Sequence, residues 1–178
     1  MNAYEYPPLP DPPDLHRLRA AQGWLELGLP VEAEVELAGL GQLAGQHPAA
    51  LDLGWAAAAA RLDWDRAHAV AEVLVRLHPR QVGGWIHRAY AIRRMPGGGL
   101  ASALAALLPA ATAFPDESMV AYNLACYLVR LERIEEGWRW YLEAEKRGEA
   151  SGIRKLALAD EDLRGIWRRI GELARSED

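Results

Sequence analysis

The chain has 178 residues, of which 51% are hydrophobic and 25% charged, a composition that suits one folded domain and excludes disorder over the whole length. Its net charge of −5 argues against nucleic acid as a partner, because phosphate binding needs a basic field that replaces condensed counterions. The only cysteine, Cys126, rules out an intrachain disulfide, gives no sign of an oxidising compartment, and favours the cytoplasm.

Residues 1–13 carry five prolines, which remove backbone donors and favour an extended arm of the polyproline II type. Tyr4 and Tyr6 would make such an arm a tether or ligand, and a loose terminal tail is the alternative reading. It has no basic n-region or apolar h-region, so it is not a secretory signal.

Helical period begins at Leu15 and passes through Leu18, Ala21, Trp24 and Leu25 to a break at Gly28-Leu29-Pro30. A second helix is expected through Val35, Leu37, Leu40 and Leu43. Pro48 opens a third, where a first-turn proline loses only an amide without a helical partner. After the Ala-rich LDLGWAAAAARL and the turn at DWDRA, a helix runs from Ala67 to His78 and stops at Pro79. The next spans Trp85 to Met95, breaks at PGGG and resumes from Leu100 to Phe114, with Pro109 expected to interrupt it. No residue from Met95 to Pro115 is charged, but its glycines, prolines and alanines leave it short of a membrane-spanning helix.

MVAYNLACYLVRL and IEEGWRWYLEAEKRG follow as a helix pair, closed at Gly148 in the manner of a C-terminal glycine. The last helix is expected to be capped by Asp160. Its stripe of Leu163, Ile166, Trp167, Ile170 and Leu173 lies opposite Arg164, Arg168, Arg169, Glu172 and Arg175.

Through these helices runs a repeat. Ala33, Ala67, Ala103 and Gly137 are spaced 67−33 = 34, 103−67 = 36 and 137−103 = 34 residues apart, a helix-turn-helix period. The strings agree as well: Ala67, Ala71, Leu74 and Pro79 are matched by Ala103, Leu107, Ala110 and Pro115. The two-residue excess in the middle spacing is most simply placed in the glycine run.

In these residues the chain resembles the tetratricopeptide repeat (TPR) family, whose unit is an antiparallel helix pair with small residues at fixed crossing positions and a proline near its end. Repeat one would start at Asp14 and use Ala21, Ala33, Leu37 and Leu40; repeat two would start at Pro48 with Trp55, Ala67, Ala71, Leu74 and Pro79. Repeat three starts at Val82 with Trp85, Ala89, Ala103, Leu107, Ala110 and Pro115, and repeat four at Ser118 with Ala125, Gly137, Tyr141 and Ala144. The resemblance covers residues 14–152. It departs at Gly45, where proline is usual, at Trp55, where a small residue is usual, and at Pro109.

The resemblance implies an all-α, right-handed solenoid of four helix pairs, with residues 153–178 as a C-terminal capping segment that shields the last repeat's core. It also implies a non-enzymatic, monomeric adaptor that binds a protein through a concave groove lined by the first helix of each pair. In this chain the groove would present Gln22, Glu26 and Asp52 in its first half and Tyr90, Arg93, Arg94, Tyr122 and Arg130 in its second. Arginines fork onto carboxylates and tyrosines supply rigid contact area, so the second half suits an extended acidic segment, and the resemblance implies a filament subunit as the other partner class. A solvated face of ordinary Arg and Tyr is the competing reading.

Family members that clamp a chaperone's C-terminal carboxylate do so with Lys, Arg and Asn, and that set is absent here: the corresponding positions hold Leu18, Gln22, Leu53, Gly83 and His87, or one repeat on Asp52, Ala56, His87, Met119 and Asn123. Small bacterial members of the family include kinesin-light-chain-like proteins that accompany bacterial tubulin filaments, and type III secretion chaperones. A regulatory subunit of an enzyme is the rival class.

A second surface is expected on the helix at residues 100–114, where Ser102, Ala105, Ala106, Pro109, Thr112 and Ala113 face outward without a charge. Such a face suits a partner protein or peripheral contact with a membrane, against the plainer reading of an exposed Ala-rich helix.

Residues with chemical potential have plainer readings. His16, His47, His68, His78 and His87 show no three- or four-residue pairing, so they read as scattered surface residues and no metal is expected. Cys126 reads as a small hydrophobe without a base or cation beside it. PGGG lacks the Lys-Ser/Thr of a phosphate loop, and Asp160-Glu161-Asp162 reads as helix capping, so neither a cofactor nor catalysis is expected.

Overall fold

The computed structural model describes residues 11–176, so most of the expected arm lies outside the described residues. Among those residues every regular element is helical. The chain divides into two compact units, Met1–Gly97 and Gly98–Asp178.

The first unit contains α1 (Pro12–Glu26), α2 (Pro30–Ala38), the single turn α3 (Gln42–Gly45), α4 (Pro48–Ala60), α5 (Trp64–Leu77) and α6 (Val82–Arg94). Helix α1 begins two residues before the expected Asp14, since Pro12 and Pro13 fit a first turn that needs no amide donors. Neighbours in sequence pack together: α1 on α2, α2 on α4, α4 on α5, α5 on α6. The first helices also touch, α1 on α4 and α4 on α6. Ala33, Ala67, Ala71 and Leu74 are fully buried at these crossings, where small side chains let backbones approach.

The expected second helix is shorter than its pattern suggested. It ends at Ala38, leaving Leu40 outside it and Leu43 largely exposed on α3. The Arg17 side chain fills the space a Cβ on Gly39 would occupy, and the Gly41 amide donates to Asp14 Oδ1 at 3.2 Å, so contacts from α1 fix the chain where the helix stops.

The second unit contains α7 (Leu100–Ala113), α8 (Ser118–Arg130), α9 (Ile134–Arg147), α10 (Ala150–Ala159), a 3-10 segment (Glu161–Ile166) and α11 (Trp167–Ser176). Helix α7 packs on α8, α8 on α9, α9 on α10, and the 3-10 segment lies against both α8 and α9. The crossing residues again reach full burial: Ala103, Leu107, Ala110, Tyr141 and Ala144. A Cβ on Gly137 would lie 2.6 Å from Val129 Cγ2, so α8 and α9 approach closely enough to require glycine.

Three expectations for this unit are corrected. Helix α7 runs unbroken through Pro109, because the ring and the Ala105 carbonyl it leaves without an amide partner both lie on the exposed side, within reach of water. Gly148 ends α9 at φ −108 rather than in the left-handed region; a Cβ there would press on Ser118 and Ile153, so packing makes it glycine. The capping segment is not one helix, since it opens with most of α10 and the residues after Asp160 start as a 3-10 turn before α11.

The turns repeat as well as the helices. Gly28, Leu62 and Glu132 adopt φ of +73, +59 and +61 at the ends of α1, α4 and α8. Each is followed by the same backbone bond, Leu29 N to Trp24 O, Asp63 N to Ala58 O and Arg133 N to Leu128 O, at 2.8, 2.9 and 2.9 Å. This is the Schellman ending, in which a left-handed residue lets its own amide and the next one satisfy the helix's last carbonyls. Pro96 excludes that ending after α6: Met95 before it is extended at φ −70, ψ 154, and five residues rather than three connect to the next helix. The two-residue excess lies there, as the spacing predicted.

Candidate functional site

In the first unit an aromatic and ionic cluster spans α4, α5 and α6. Three buried alanines, Ala58, Ala67 and Ala91, leave room beneath it for Trp55 and Trp64. Trp55, the large residue at a position that usually takes a small one, lies against the His87 ring with centroids 3.9 Å apart. Its indole meets the Tyr90 ring edge-on at 5.8 Å, and Tyr90 is also tilted against Trp64 at 5.9 Å. Arg94 lays its guanidinium over Tyr90 at 3.5 Å and reaches the Trp64 ring at 5.4 Å. His87 Nε2 stands 3.5 Å from Asp52 Oδ1, which joins the acidic residue of α4 to the aromatic row of α6. The Trp55 indole nitrogen is enclosed without a hydrogen-bond partner, a state that costs roughly 1–3 kcal/mol and that packing of the two rings has to offset.

Of the sequence-predicted groove residues, Asp52, Tyr90 and Arg94 are therefore joined in one cluster, through Trp55 and His87. Arg93 is half-buried on the same helix. Gln22 and Glu26 are exposed one turn apart on α1 and hydrogen-bond to each other at 3.0 Å. Sequence reading placed Asp52 and Tyr90 on the groove but missed the Trp55–His87 stack. A large aromatic at a small-residue position was the available signal.

In the second unit the other two groove residues are already engaged. Tyr122 is 4% exposed and donates its hydroxyl to Asp160 Oδ2 at 2.9 Å. The Cys126 thiol donates to the same oxygen at 3.6 Å, and Arg130 Nη1 lies 3.8 Å from Asp162 Oδ1. The acidic turn that sequence reading assigned to capping does cap the 3-10 segment, with Asp160 Oδ1 accepting from the Asp162 amide at 2.9 Å. It also covers the face of α8 expected to receive a partner. Burial pushes the Tyr122 hydroxyl well above the usual tyrosine range, and the neighbouring Cys126 and Asp160 push it the same way. Tyr141 is raised likewise by burial and by the Glu145 carboxylate it bonds.

The residues expected to form a second surface are mostly exposed on α7. Ser102, Ala105, Pro109, Thr112 and Ala113 are exposed, Ala106 is half-buried, and Leu108 adds 44% exposure beside them.

The histidines are less scattered than expected. His47 is buried and caps α4, its Nδ1 accepting from the Ala49 amide at 3.2 Å, while the His78 ring bonds the Gln46 carbonyl at 2.8 Å. Among the described residues no three side chains gather as a metal-ligating group, and no helix is long and apolar enough to cross a membrane. The first cluster offers stacking and ion pairing, and the second hydrogen bonding and ion pairing, all of them means of recognition. The chain matches no protein-family model, and no curated protein matches it significantly.

Proposed function

We propose that this protein is a non-enzymatic adaptor of the tetratricopeptide type, four helix pairs forming a right-handed solenoid whose first helices receive an extended protein segment. The observation that carries the proposal is the run of first helices in the first unit, where α4 touches both α1 and α6 and the Asp52–His87–Trp55–Tyr90–Arg94 cluster joins α4 to α6. The recurring left-handed turns and buried crossing residues support the repeat reading. Arg93 and Arg94 close the run with positive charge on α6, Glu26 stands at its other end on α1, and Asp52 lies between them on α4 against His87.

A partner segment lying along this run meets acidic groups first and guanidinium groups last, so its acidic part belongs over α6. The Arg94 guanidinium, already held over Tyr90, loses little further freedom on binding a carboxylate. The test is selection of peptides from a random-sequence library. Wild type should enrich Asp- and Glu-bearing peptides, and Arg93→Glu/Arg94→Glu should lose that enrichment while still unfolding cooperatively, its melting temperature lowered only by the lost Arg94 contacts with Tyr90 and Trp64. Equal enrichment by both proteins would remove the acidic segment from the proposal.

A further inference from the structure

We propose that the Tyr122–Cys126–Arg130 face of α8 is a carboxylate-reading surface whose resident ligand is the chain's own Asp160–Asp162 turn, a latch that an acidic partner segment has to displace. The partner clause rests on the adaptor reading; the latch itself does not.

The three α8 residues are spaced four apart, so they form one stripe along the helix. They meet two carboxylates on alternate residues of a single turn, Asp160 at Tyr122 and Cys126, and Asp162 at Arg130. The hydroxyl and the thiol donate to one oxygen of Asp160, while its other oxygen is spent on the Asp162 amide. The inner carboxylate therefore has both oxygens engaged within the fold. At the outer end Arg130 is half exposed and reaches Asp162 at 3.8 Å through one nitrogen, a pair of little worth in water.

The turn has close support on its far side. A Cβ on Gly165 would lie 3.1 Å from Val129 Cγ1 and 3.2 Å from Ile134 Cδ1, and Leu163, Ile166 and Ile170 are fully buried just beyond. Tethered this way, the acidic turn has a high local concentration at α8, and a separate acidic segment competes only when it binds better or when the turn's charges are removed.

Cys126 makes the latch measurable, because it is the only cysteine in the chain, is 3% exposed and touches Asp160. Labelling of its thiol by an aromatic disulfide reagent reports opening at this face alone. Asp160→Ala/Asp162→Ala should label about tenfold faster than wild type, with a rate nearly independent of low urea, as local opening requires. Asp160→Asn, whose single amide oxygen can keep the cap or accept from Tyr122 but not both, should label faster than wild type and slower than the double variant. Adding a peptide of residues 157–165 to the double variant should slow labelling, and the same peptide carrying Asp160→Asn, Glu161→Gln and Asp162→Asn should not.

Labelling that rises with urea as steeply as global unfolding, or equal rates in wild type and double variant, would overturn the latch. A latch that opens without charge-dependent protection by the peptide would overturn the carboxylate-reading surface. Neither result touches the role of Arg93 and Arg94, which the library selection reads separately.

Discussion

Glu132 sits in the left-handed region at the end of α8 with φ +61, in a turn whose counterpart after α1 is Gly28 at φ +73. For an L-residue this conformation costs about 1–2 kcal/mol, which glycine escapes. Glycine gives back about 0.5–1 kcal/mol through the freedom it gains in the unfolded chain. Glu132→Gly should therefore stabilise the second unit by about 0.5–1 kcal/mol, since the side chain is exposed and its loss removes little packing. Leu62, at φ +59 and 70% exposed, should gain less from the same change, because its remaining contacts contribute about 0.5 kcal/mol. Gly28→Ala should lose about 1 kcal/mol. Urea unfolding followed by far-UV circular dichroism reads all three, as midpoints shifted at unchanged slope. A lower midpoint for Glu132→Gly, or none lost for Gly28→Ala, would refute the argument that backbone strain at these turns sets the ranking.

Other outcomes follow from burial and charge. Ile166→Ala and Ile170→Ala, both at fully buried positions, should each cost about 2–5 kcal/mol, measured as urea midpoints, and removal of residues 160–178 should cost at least as much. Pro109→Ala should raise stability by about 1–2 kcal/mol by restoring an amide to the Ala105 carbonyl, and a lower melting temperature would show that the proline is needed for packing. Tyr122 and Tyr141 have folded-state pKa values raised above the unfolded value near 10, so the stability they contribute is fully present below pH 10 and is lost above it. Each should add about 1.4 kcal/mol of destabilisation per pH unit there, and Tyr122→Phe/Tyr141→Phe should flatten the slope of unfolding free energy above pH 10.

The second helices were legible because close crossings demand small or shape-matched residues. Ala33, Ala67 and Ala103 recur at the crossing in three successive pairs, and burial leaves them no exposed area. Helix α10 was not legible, since Ile153 and Ala157 are its only buried residues and two anchors give no clear period. The unbroken α7 escaped for another reason: whether a proline breaks a helix depends on the side it faces, which sequence does not state. At the site, the sequence held both halves of the α8 contact, an acid-seeking Tyr122 and Arg130 and an acid cluster at 160–162. Capping was a sufficient local explanation for the acids, and a contact across 38 residues leaves no spacing signal.

The most direct test of the adaptor account is affinity capture from the native cell with wild type, Arg93→Glu/Arg94→Glu and Ala106→Glu as parallel baits, quantified by mass spectrometry. The account predicts a set of proteins bound by wild type and by Ala106→Glu but lost with the arginine reversals, all three baits being folded by circular dichroism. The same proteins retained by the arginine variant and lost with Ala106→Glu would contradict it and move recognition to the uncharged face of α7.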